Sequence, residues 1–240
     1  MDGRTRRRGH PGCRIHRLRA HMKTALLFDL DGTLIDSDPL HASVFIDMFA
    51  ERGRTIDLAF YRDSLHGRLN ADIFTDLCPG EDAEALSDFK ESEYRRRLGD
   101  AQPPLPGTLD MLDLADRMGW PKAVVTNAPR DNGEAVLEAL GLAGRIDTLV
   151  IASECARGKP DPAPYAEGLR RLGADPATSL AFEDSPPGIR SAVAAGLKTI
   201  GLRSLLDDAT LRAAGASATI SDYTDPALMQ HIEQLKGSAA

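Results

Sequence analysis

Asp29 and Asp31 stand two residues apart, directly after an apolar run over residues 24–28, in the stretch TALLFDLDGTLID. On a continuing strand, positions i and i+2 share a face, but Gly32 breaks the strand, so both carboxylates can converge on one spot, with Thr33 capping the turn. The plainer alternative is a strand followed by an acidic turn, since Asp and Gly are ordinary turn residues.

Three further segments carry polar groups of a consistent kind. Thr126 and Asn127 follow the apolar run 122–125 and offer a hydroxyl and main-chain N–H groups to an anion; Thr-Asn before a proline is also good helix-start chemistry. Lys159 lies between Gly158 and Pro160, held in a turn, where the plainer reading is a surface lysine. Glu183 and Asp184 close the run 179–182, where Asp184 or Ser185 could instead cap the next helix. Gathered at one sheet edge, Asp29, Asp31, Glu183 and Asp184 would repel one another by on the order of several kcal/mol per close pair at an effective dielectric near 20. That charge calls for a cation. Hard oxygen ligands with no histidine or cysteine cluster select Mg2+ over Zn2+.

The elements that must position these groups are legible in outline. Residues 38–52 show apolar residues at helical spacing closed by Gly53, residues 61–77 and 83–99 also read as helical, and AQPPLPGT is a linker by composition. Beyond it the texture alternates. Helices are predicted over 108–118, 130–140, 162–172 and 188–195, and strands over 122–126, 148–151, 179–182 and 199–202. A short helix over 206–213, a β-like ATI and a helix over 226–235 complete the chain. The first strand precedes the all-helical block and its partners follow it. The fold class expected is therefore α/β: a Rossmann-like parallel sheet with helices on both faces, built from residues 22–36 and 103–240, with an inserted helical cap domain over 37–102.

The 240 residues suffice for one sizeable domain or two smaller ones. No run of eighteen apolar residues occurs, which argues against a membrane span. Cys13, Cys78 and Cys155 form no CxxC pair, and their odd number gives no complete disulfide framework, so a reduced, cytoplasmic setting is expected. The formal charge of −7 hides an asymmetry: residues 1–21 hold seven arginines against Asp2 alone, leaving 22 basic and 35 acidic side chains in the rest. So acidic a body argues against a nucleic-acid partner. The basic leader has no apolar core of a secretory signal. It reads as a disordered extension ahead of Met22, which opens the first strand.

The ordered motifs DLDGT (29–33), the Thr of VVTN (Thr126), the Lys of GKPDP (Lys159) and the acidic pair of FEDS (Glu183, Asp184) resemble those of the haloacid dehalogenase superfamily of phosphohydrolases, over about residues 23–203. The helical insert is similar to that of the subfamily containing phosphoglycolate phosphatases and β-phosphoglucomutases. This resemblance implies that Asp29 is the nucleophile and Asp31 the general acid/base. It implies that Mg2+ binds Asp29, the main-chain carbonyl of Asp31, and Asp184, with Glu183 direct or through water. Thr126 and the Asn127 amide would hold phosphoryl oxygens, and Lys159 would link nucleophile and phosphate. Implied, then, is an Mg-dependent phosphatase of a small phosphorylated metabolite, a phosphosugar or phosphoglycolate, working through an aspartyl-phosphate as a monomer or homodimer.

A sugar phosphomutase is the rival, because His41 sits where the sugar mutases also carry a histidine, although Thr33 stands where they usually show an aliphatic residue. A non-catalytic binding protein needs no convergent carboxylates. Hydrolytic dehalogenation lacks an acid at the Asp31 position. Substrate choice would fall to the cap, with His41, His66, Arg68 and Asn70 as candidates; for each, an ordinary surface residue is the plainer reading.

Overall fold

Leu26–Phe28 (β1) is apolar at every position because it is buried on both faces, as a central parallel strand must be. The computed structural model describes residues 23–238, and the basic leader lies outside the described residues. Strands β2 (Lys122–Thr126), β3 (Thr148–Ile151), β4 (Leu180–Glu183), β5 (Lys198–Leu202) and β6 (Ala218–Ile220) join β1 in a sheet of order β3-β2-β1-β4-β5-β6, parallel throughout. The order reverses at β1, which pairs Phe28 with Val124 of β2 on one side and Phe182 of β4 on the other. Outside the carboxyl ends of strands at such a switch point lies the crevice where ligands bind.

Alternate residues feed opposite faces. Leu26 and Phe28 join a core formed with helices α4 (Thr108–Met118), α5 (Arg130–Ala139) and α9 (Ala227–Ser238). Leu27 enters a second core against α6 (Ala163–Leu172) and α7 (Pro186–Ala194). Between β5 and β6 runs α8 (Asp208–Ala213).

The insert between β1 and β2 carries helices α1 (Asp38–Ala50), α2 (Asn70–Leu77) and α3 (Ala83–Leu98), packed around Phe45, Phe49, Tyr61 and Phe74. The chain leaves and re-enters the sheet side by side, the Leu105 N–H donating to the Leu34 carbonyl at 2.9 Å. Near that crossing Gly107 has φ +77°, and a Cβ there would stand 2.7 Å from the Tyr223 carbonyl carbon.

Two expectations need correction. Residues 61–77 are not one helix: Tyr61–Leu65 form a single π turn, closed by the His66 N–H on the Tyr61 carbonyl, and a turn, with the Arg68 N–H on the Leu65 carbonyl, separates it from α2. Thr33 does not cap its turn, because its buried hydroxyl has no hydrogen-bond partner among the described residues; its carbonyl instead accepts from the Tyr223 hydroxyl. Among the described residues no helix is long and apolar enough to cross a membrane.

Candidate active site

The carboxyl ends of β1, β2 and β4 open into a cavity of about 220 Å3, roofed by the helical insert. Of the residues singled out from the sequence, Asp29, Asp31, His41, Arg68, Thr126, Asn127, Lys159 and Asp184 all line it; Glu183 lies beneath.

Lys159 is no surface lysine. Its ammonium is buried between Asp29 Oδ1 at 2.6 Å and Glu183 Oε1 at 2.5 Å. Burial alone would lower its pKa, but the two carboxylates outweigh that and raise it. Glu183 is the last residue of β4, so the sheet fixes it, and its oxygens also accept from Tyr165 Oη at 2.9 Å and Ser185 Oγ at 3.1 Å. Ser185, not Asp184, caps α7, accepting from the Gly188 N–H. That leaves the Asp184 carboxylate to face the cavity, where it accepts from Ser204 Oγ at 2.9 Å.

Asp29, Glu183 and Asp184 each place an oxygen within 4.8 Å of the others. Burial pushes the Asp29 carboxyl well above its ordinary value; Lys159 opposes this, while Glu183 and Asp184 add to it. Three carboxylates converging on one spot offer the hard oxygen ligands that a divalent cation such as Mg2+ takes. The backbone leaves room for this crowding at Gly32, where φ is +70° and a Cβ would come within 2.0 Å of Asp184 Oδ2. The residues present therefore fit Mg2+.

Asp31 lives in a different environment. Its Oδ1 accepts from Ser37 Oγ at 2.7 Å, from the Tyr94 hydroxyl at 3.2 Å and from His41 Nε2 at 3.3 Å. Burial would raise its pKa, yet the hydrogen bonds from His41 and Ser37 and the charge of Lys90 bring it down to about 2. Among the described residues its carboxylate stands apart from the Asp29, Glu183 and Asp184 group, so any part in binding a metal there falls to its main chain. His41 stacks on Tyr94 with ring centroids 4.1 Å apart, and its Nδ1 accepts from Lys90 Nζ at 2.8 Å, which fixes the proton on Nε2 toward Asp31.

At the mouth, Thr126 Oγ1 accepts from the Ala128 N–H at 2.9 Å and Asn127 Oδ1 from the Lys159 N–H at 3.3 Å, so the β2 loop and the lysine turn are tied together. Arg68 is half-exposed and paired with Asp76 at 2.5 Å.

His66 departs from the surface reading and from the absence of a histidine at the carboxylate cluster. Its side chain, 8% exposed, reaches from the insert to Asp184 Oδ2 at 3.4 Å and Asp38 Oδ1 at 3.7 Å. Burial lowers its pKa, but Asp184 and Asp38 reverse this and raise it to about 9. Asp38 itself is pushed up to about 6 by burial and by Asp184, against the pull of His66 and the Tyr61 hydroxyl.

Sequence reading missed Asp38, Lys90, Glu91 and Asn132. Lys90 and Glu91 line the cavity from α3, and the Asn132 amide of α5 donates to Glu91 Oε2 while accepting from Arg95. The signal was present: Leu86, Lys90, Tyr94 and Leu98 repeat every four residues, so Lys90 sits inside the buried stripe of α3.

Comparison with known proteins agrees with this geometry. Validoxylamine A 7'-phosphate phosphatase of Streptomyces hygroscopicus subsp. limoneus is 32% identical over 207 residues, covering 85% of this chain and 96% of the relative. Fructose-1-phosphate phosphatase YqaB of Escherichia coli is 30% identical over 188 residues, covering 75% and 96%. The crystal structure of a HAD hydrolase, family IA, variant 3, from Entamoeba histolytica superposes with a TM-score of 0.79 at 26% identity, covering 89% of this chain and 99% of that one. The profile of the haloacid dehalogenase-like hydrolases matches residues 23–196, and the chain belongs to that family.

Proposed function

We propose that this hydrolase is a Mg2+-dependent phosphatase of phosphorylated sugars or related small phosphomonoesters, acting through an aspartyl-phosphate on Asp29. The observation that carries the reading is the division of labour between two carboxylates two residues apart: Asp29 lies in the acidic cluster with Lys159 at 2.6 Å, while Asp31 is held separately by Ser37, Tyr94 and His41. The phosphatase relatives support the reaction class.

Asp29, Asp184 and the main-chain carbonyl of Asp31 would hold Mg2+, with Glu183 beneath, and the ion would offset phosphate charge at the site. A carboxylate meeting a phosphate dianion at about 4 Å faces roughly 8 kcal/mol of repulsion at an effective dielectric near 20. Lys159 brings its ammonium to that encounter, and the β2 loop at Thr126 and Asn127 presents main-chain N–H groups.

In the first half-reaction an Asp29 oxygen attacks phosphorus, the ester P–O bond breaks, and the leaving alkoxide takes a proton from Asp31. In the second, Asp31 takes a proton from water, the hydroxide attacks phosphorus, and Asp29 departs as the carboxylate. In the free protein Asp31 is ionised, ready for the second half. The anionic substrate arriving beside it favours the proton uptake that the first half needs. Closure of the insert would exclude water from the transfer.

The test is phosphate release, with Mg2+ and after EDTA, across sugar phosphates, glycerol phosphate, phosphoglycolate and nucleotides, with product analysis for isomers. Release that EDTA stops and Mg2+ restores is expected. Isomer formation without release would make it a sugar phosphomutase, and turnover unaffected by EDTA would remove the metal.

A further inference from the structure

The part of the cavity away from Asp29 is where a leaving alcohol would sit, and its charges are already matched. Lys90 Nζ donates to Glu91 Oε1 at 2.9 Å and to His41, Arg68 is paired with Asp76, and His66 with Asp184 and Asp38. No cation lining that end is uncommitted among the described residues, so a second anionic group on the substrate would find no partner there.

Glu91 makes the wall more selective still. It is buried, faces the cavity, and among the described residues takes Lys90 and the Asn70 amide on Oε1 but only the Asn132 amide on Oε2. A carboxylate oxygen accepts two hydrogen bonds. One acceptor position on Oε2 therefore remains for a hydroxyl donor, whereas a substrate carboxylate or second phosphate would meet a like charge.

Resting on the phosphatase reading, we infer that Glu91 is a specificity-determining residue that selects phosphomonoesters of uncharged, hydroxyl-bearing alcohols and rejects those carrying a second anionic group. Discrimination of this kind comes from leaving buried charge unmatched rather than from pocket size.

The experiment compares kcat/KM for neutral-alcohol substrates (glycerol phosphate and hexose monophosphates) with kcat/KM for phosphoglycolate and a hexose bisphosphate. The wild type should favour the best neutral substrate by about tenfold or more. The double variant Glu91→Gln/Asn132→Asp then moves the negative charge out of the cavity wall to α5, beside Arg95, while the hydrogen bond between the two positions is kept with its direction reversed. It should narrow the preference by about tenfold, chiefly through a lower KM for phosphoglycolate, as Lys90 becomes free to pair with it. A merely structural role for Glu91 predicts loss on all substrates alike. Comparable wild-type turnover of phosphoglycolate and neutral esters, or an unmoved ratio in the double variant, overturns the inference and leaves the phosphatase reading standing. Absence of phosphate release from every phosphomonoester overturns that reading itself.

Discussion

Lys159 is the residue on which the site's charge balance turns, since one buried ammonium faces Asp29 and Glu183 at hydrogen-bond distance. Removing it leaves both carboxylates buried and uncompensated. Lys159→Ala should therefore cost about 3–5 kcal/mol of stability, read from urea melts of the metal-free protein, and a loss below about 1 kcal/mol would mean that the pair is not buried in solution. On the proposed mechanism, Asp29→Asn should lower phosphate release by more than about a hundredfold with the fold retained, and release within about tenfold of wild type would remove Asp29 as the nucleophile. His66 gives a pH prediction whose sign is fixed by its environment. Its pKa rises from 6.5 to about 9 because Asp184 and Asp38 overcome burial, so its contribution is fully present below about pH 6.5 and is lost as pH climbs through about 9. Up to about 3 kcal/mol is at stake. In EDTA, the wild type should lose stability over that window while His66→Gln does not; parallel curves for the two would show that His66 does not reach the cluster.

At the scale of elements, the strand ends place chemistry because neighbouring backbone is allowed to come close. Gly188, in the first turn of α7, packs against the Glu183 carboxylate, and a Cβ there would fall 1.9 Å from Glu183 Oε1. Glu183 is wholly buried and held by Lys159, Tyr165 and Ser185, so it has nowhere to move. Gly188→Ala should cost about 1–3 kcal/mol, as overpacking does, and should weaken catalysis by disturbing Lys159. Thermal melts should read this loss, while Gly144→Ala, in an open loop with nothing within 4 Å, should stay within about 0.5 kcal/mol in them. The same contrast explains what could be read from the sequence. β2 and β3 were legible to the residue because each is a short run rich in β-branched apolar residues between turn signals, and α7 began two residues early only because prolines fill its first turn. Most motif residues were legible because they stand at the ends of apolar strands, Asp29 after β1, Thr126 at the end of β2, and Glu183 and Asp184 at the end of β4. Glu91 and Asn132 were not, since each lies among polar residues of its helix and they find each other only through the tertiary contact between α3 and α5, while Asp38 opens α1 and meets the Tyr61 hydroxyl and His66 only in the folded insert.

For the whole molecule, the hydrogen bonds from Asp31 run through His41 on α1 to Lys90 and Glu91 on α3, and return to the sheet domain at Asn132 on α5. Both ends of that path lie outside the insert and its middle lies inside, so the insert and the sheet hold Asp31 jointly. The carboxylate cluster, in contrast, is fixed by the strand ends, with only His66 and Asp38 reaching it from the insert. A divalent ion bound by the folded cluster and not by the unfolded chain stabilises the fold by mass action, by about 2.7 kcal/mol at a hundred times its Kd. For a chain of this size that corresponds to a rise in Tm of about 5–10 °C. Mg2+ titrated into metal-free wild type should produce that shift in a thermal melt. Asp184→Asn, which removes a carboxylate facing the cavity while keeping its shape, should lose most of it. Lys90→Met, which breaks the path through the insert but leaves the cluster intact, should keep it. An equal shift in all three proteins would place the ion elsewhere on this acidic surface and separate metal binding from the strand-end carboxylates.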